Sequence, residues 1–178
     1  MELVVVRETL VAALRTYGVD WLAPSDAVGG ENIEPSLLIA SLAAHDDPRL
    51  RQALVALFLI QPRLAALALL IRQNLSAEAA QELTAYYTAA MYLQRTWRIR
   101  LGHYLSATAE LPDHFSQELE LPPPDDEHGK YGLYALAEWH ASHSPFRFNY
   151  LSAYEGVADF LFQSLKLKRH RHESAPTS

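Results

Sequence analysis

Arg98 and His103 are the residues whose types and spacing first suggest chemistry. A guanidinium can hold a phosphate through a fixed fork of donors, and an imidazole can move a proton near neutral pH. Four residues separate them, which on an unbroken helix sets the side chains about 140° apart. They converge only if the helix ends or bends at Gly102, or across a dimer. A second group is rich in histidine: His140 and His143 stand one turn apart, Glu138 is near, and Asp126, Glu127 and His128 precede them. A metal can use such donors, yet there is no HExxH and no third ligand fixed by spacing. That pair reads as a helix C-terminus, where histidines meet the negative end of the dipole. The third pattern interleaves aromatics with cations: Tyr86, Tyr87, Tyr92, Arg95, Trp97, Arg98, Arg100 and Tyr104. Bases of single-stranded nucleic acid stack on such surfaces, but here Tyr86 and Trp97 share a stripe with leucines, so core filling is the expected role.

The run from Arg98 to His103 resembles the R-x4-6-H motif of HEPN-family RNases. That resemblance implies an all-α fold, RNA as substrate, Arg98 and His103 as catalytic residues and a nucleotidyltransferase-type partner. The chain departs from the fuller family pattern. Ile99 follows the arginine where many members carry a polar residue, and Tyr104 follows the histidine directly, with Leu105 in the second place.

Several classes lose their sequence handle. There is no cysteine, which removes disulfide scaffolds and thiolate-bound metal. Gly29-Gly30 lacks the Lys or Ser of a phosphate loop, and no G-x-S-x-G elbow occurs. A net charge of -6 argues against a general nucleic-acid coat, and no DNA partner is expected. The three valines near the start are too few for a signal peptide. Ala53 to Ile71 is the most apolar stretch, but Gln61-Pro62-Arg63 would sit at its middle in a bilayer, so a buried helix is expected.

The elements that must carry these residues all follow helical spacing, and no alternation by two is sustained. The 178 residues, 49% of them hydrophobic, predict one all-α domain of about seven helices around a long central helix. Gly18 is a C-cap, Glu34-Pro35 and Asp47-Pro48 are helix entries, and Ser76 and Asn149 are N-caps. Pro48-Arg49-Leu50 and Pro62-Arg63-Leu64 repeat a tripeptide, which suggests a HEAT-like helix pair or two consecutive bundle helices. Ala77 to Tyr104 reads as the central helix, with Gly102 its one weak point.

The organisation expected is a main helical domain over 1–121, an acidic Pro-rich loop over 122–130, a helical pair over 131–167 and a basic, disordered tail over 168–178. Seven acids and no Lys or Arg fall between Glu110 and Glu127. The expected function is a non-catalytic, cytoplasmic module that binds another protein or itself, without cofactor, metal or membrane. The competing expectation is the HEPN-like RNase, with Arg98 and His103 acting on RNA.

Overall fold

The computed structural model describes residues 5–22, 32–106 and 109–174. Among them are eight α-helices and no strand: α1 Arg7–Thr16, α2 Pro35–Ala44, α3 Pro48–Ile60, α4 Ala65–Arg72, α5 Ala77–Thr96, α6 Arg98–Tyr104, α7 Lys130–His143 and α8 Tyr150–Glu173. Short 3-10 turns occupy Pro62–Leu64 and Asp126–Gly129. The all-α expectation holds.

Local chemistry accounts for most boundaries. Pro35 and Pro48 open α2 and α3, where a missing amide hydrogen costs nothing. The side chains of Asp47, Ser76 and Asn149 accept from Arg49 N, Ala79 N and Ser152 N, which caps α3, α5 and α8. Gly18 follows α1 with φ 90°, the left-handed turn that ends many helices. Leu3, the segment 23–31 and the last four residues lie outside the described residues.

Two helices share the centre rather than one. In α3 every residue from Ala53 to Leu59 is buried, and α5 is buried without interruption from Glu82 to Arg95. A helix apolar on all sides needs neighbours on all sides. Accordingly α3 packs on α5, α2 and α8, while α5 also packs on α7, α2 and α4. Gly132 sets the closeness of α7 to α5, because a Cβ there would overlap the Tyr92 ring. No single described helix is long and apolar enough to cross a membrane, and the Ala53–Ile71 stretch is bent by 109° at its break. The two proline-led helices therefore diverge and pack mainly on other helices, rather than stacking as a HEAT-like pair.

Two expectations need correction. The long helix does not run unbroken to Tyr104, and its break is not at Gly102. It falls at Trp97 (φ -108°, ψ 21°), and Gly102 lies inside α6 with open space around it. The acidic loop docks beside this break, where Thr96 Oγ1 lies 2.9 Å from His128 O and 3.0 Å from Tyr92 O and its one proton is shared between the two carbonyls. The basic tail is also partly misplaced, since α8 continues through residues 168–173. Lys168 Nζ donates to Gly18 O at 2.9 Å and pairs with Asp20 at 3.0 Å, and Arg169 reaches α6, so those cations anchor the helix.

Candidate functional site

The elbow between α5 and α6 forms one wall of an open groove of about 1050 Å³. Its other wall is the loop that carries Asp125 and His128, together with Lys130 at the start of α7. Arg95 is the clamp that holds the two walls. Its guanidinium donates to Leu111 O at 2.9 Å and to Gln94 Oε1 at 3.0 Å, and it pairs with Glu110 at 3.1 Å and Asp125 at 3.6 Å. Gln94 Oε1 in turn accepts from Leu111 N at 2.7 Å, so the acidic segment is tied to α5 by backbone and charge together.

Arg98 and His103 both line this groove, and each is engaged by a different neighbour. Arg98 Nη2 donates to Glu110 Oε2 at 3.0 Å. His103 Nε2 accepts from Arg169 Nη1 at 2.6 Å, because an arginine has only donors to offer. The two side chains thus leave α6 toward different neighbours, as the 140° spacing requires. Arg100 lies over the Phe162 ring at 4.0 Å and extends the cationic edge. Ile99 is 92% exposed on the same short helix, an apolar group with nothing of this chain against it among the described residues.

The aromatic and basic series divides. Tyr86, Tyr87, Tyr92 and Arg95 are buried, whereas Trp97, Arg98, Arg100 and Tyr104 reach the groove. The histidine-rich group divides as well. His143 stacks on Trp139 at 4.4 Å at the exposed end of α7, while His140 is fully buried. Among the described residues no group of three or more His, Cys, Asp or Glu is placed to hold a metal ion.

His140 belongs instead to a buried network that the sequence reading did not assemble. Glu82 accepts from His140 Nε2 at 2.9 Å and pairs with Arg51 Nε at 3.1 Å. Tyr154 Oη and His140 Nδ1 share a hydrogen bond at 2.7 Å. Arg51 Nη1 donates to His45 O at 2.6 Å. Tyr150 stacks on the imidazole at 3.7 Å. Burial, with Tyr86 and Glu82 nearby, holds the Tyr154 phenol well above the ordinary tyrosine pKa. The network joins α3, α5, α7 and α8 in the interior and opens into none of the described grooves. One signal was present in the sequence: His140 continues the buried stripe Gly132, Leu133, Leu136 of α7.

Comparison with family models, curated proteins and solved structures finds no match for this chain. Fold and site together define an all-α domain with a cation-rimmed groove at a helix elbow.

Proposed function

We propose that this chain is a non-catalytic, cytoplasmic interaction module, and that the groove at the α5–α6 elbow docks a protein partner. The observation that carries the reading is Ile99, 92% exposed beside the partly exposed Trp97 on a rim of arginines. An isolated exposed isoleucine is ordinary, but one set between guanidiniums in a groove has the make-up of a protein contact, an apolar centre with a charged edge. Acid–base catalysis requires a base free to reach the reacting proton. His103 is engaged by Arg169, and Arg98 by Glu110, which favours binding over cleavage.

A photo-crosslinking residue placed at position 99, in cells of the native host, tests this. Protein adducts are expected there and not from position 78, which lies at the far end of α5, roughly 30 Å away along the helix. Adducts to RNA, or RNA cleavage by purified chain that His103→Ala abolishes, would overturn the reading in favour of the HEPN-like alternative.

A further inference from the structure

We infer that the segment docked in the groove is acidic: a stretch of a different protein that sets carboxylates around an apolar side chain. The inference rests on the docking reading above. The lining holds four Arg or Lys residues, Arg95, Arg98, Arg100 and Lys130, against one carboxylate, Asp125, and its two histidines add no negative charge. Two of the four cations are already answered by this chain. Arg95 pairs with Glu110 and Asp125, and Arg98 pairs with Glu110. Arg100 and Lys130 are both exposed, stand on opposite walls, and have no ion-pair partner among the described residues. Lys130 also borders a smaller hollow lined by Glu155 and Asp159, and pairs with neither. Arg100 is held in position before any partner arrives, over the Phe162 ring at 4.0 Å and the Trp97 ring at 5.8 Å.

Covering Ile99 draws water off the lining, and a charge taken out of water without a counter-charge is costly. A neutral or basic segment would strand Arg100 and Lys130, whereas carboxylates on the segment would pair with them. Asp126 and Glu127 are exposed on the same loop as Asp125 but lie outside the lining, so they supply neither cation. A nucleic acid fits this pattern less well. Its backbone carries a charge at every nucleotide and would bring phosphates against Asp125, and Ile99 offers its bases no ring to stack on. A peptide can place carboxylates at two points and keep amide or apolar groups elsewhere.

Panning a phage-displayed library of random dodecapeptides against the full chain tests the inference. The expected binders carry an apolar residue flanked by Asp or Glu. Non-specific adhesion to a chain of net charge -6 would favour cationic peptides, so acidic binders point to the groove rather than to the surface at large. Affinity for a synthetic copy of the best binder should fall about tenfold or more in each of Ile99→Glu, Arg100→Glu and Lys130→Glu. All three side chains are exposed, so the circular dichroism spectrum should not change. Lys130→Glu leaves the contact between Arg100 and Phe162 intact and decides the matter should Arg100→Glu disturb α8. Panning against the double variant Arg100→Glu, Lys130→Glu should select Lys or Arg in place of Asp or Glu. Neutral or basic binders to the native chain, no binders, or acidic binders indifferent to these changes would overturn the inference. The crosslink at position 99 separates this failure from that of the docking reading. If position 99 captures a protein while panning fails, or the adduct maps to a segment without Asp or Glu or to a second copy, the acidic occupant is refuted and docking stands. If position 99 gives only RNA adducts, or none, the docking reading falls and the acidic occupant with it.

Discussion

Glu82→Ala should be the most damaging single truncation in this protein, and the geometry supplies the reason. Glu82 is the carboxylate that faces both Arg51 and His140, and the Arg51 and Glu82 side chains are 5% and 4% exposed. Removing it leaves a guanidinium in the interior with only carbonyl partners, His45 O at 2.6 Å and Asp46 O at 3.2 Å. Breaking a buried pair from one side costs about 3–5 kcal/mol. The orphaned His140 Nε2–H adds about 1–3 kcal/mol. Because both losses come from one carboxylate and the cavity can relax, a total of about 4–6 kcal/mol is expected, against a domain stability of about 5–15 kcal/mol. At about 2–4 °C per kcal/mol for a chain of this size, the thermal midpoint should fall by roughly 10–20 °C. Urea titration followed by circular dichroism at 222 nm measures it. The double variant Arg51→Met, Glu82→Leu should be more stable than Glu82→Ala, since it removes the charge instead of stranding it. A loss of about 1 kcal/mol or less in Glu82→Ala, or a double variant no better than the single, would refute the reasoning.

Tyr86 and Tyr154 are 1% and 0% exposed, and burial raises both phenol pKa values far above their ordinary position near 10. The folded state thus binds these protons more tightly than the unfolded state, so the stability they contribute is complete below about pH 10 and is lost as pH rises above it. For as long as these phenols stay protonated in the folded chain, each further unit of pH above about 10 favours the unfolded state more. Tyrosinate absorbance at 295 nm should therefore appear together with the loss of helix, and gradual titration of these two phenols in a still-folded chain would contradict this. Gly132→Ala should cost about 2 kcal/mol or more, because the added methyl overlaps the Tyr92 ring while the Tyr92 hydroxyl is held at Pro122 O; denaturant midpoints would reveal it, and an unchanged midpoint would show that α7 can move aside. His103→Ala and Arg98→Ala should each change stability by about 0.5 kcal/mol or less, as exposed groups do. Neither should alter the integrity of a structured or unstructured RNA incubated with the purified chain, and an electrophoretic assay checks that directly.

Helix existence was legible in the sequence because it depends on short-range events. A proline that gives up an amide already lacking a partner, an aspartate, serine or asparagine that accepts from the first turn, and a glycine that turns left-handed all act within four residues, as Pro48, Asp47, Ser76, Asn149 and Gly18 do. The apolar run of α3 announced a buried helix for the same reason. Arg98 and His103 could likewise be named as chemically notable from type and spacing alone, and their angular separation on a helix could be worked out.

What they face could not. The break at Trp97, the docking of the acidic loop on α5, and the engagement of Arg98 by Glu110 and of His103 by Arg169 join residues 12 to 66 positions apart. Such pairings depend on which helices become neighbours, a property of the whole packing. The same holds for Glu82, which looks like one more surface carboxylate on an amphipathic helix until α3 and α7 bring Arg51 and His140 against it. The continuation of α8 through Lys168 and Arg169 follows that logic too. The run is held locally by the Arg169–Glu173 pair one turn apart, and Gly18, Asp20 and His103, all distant in sequence, supply its other partners.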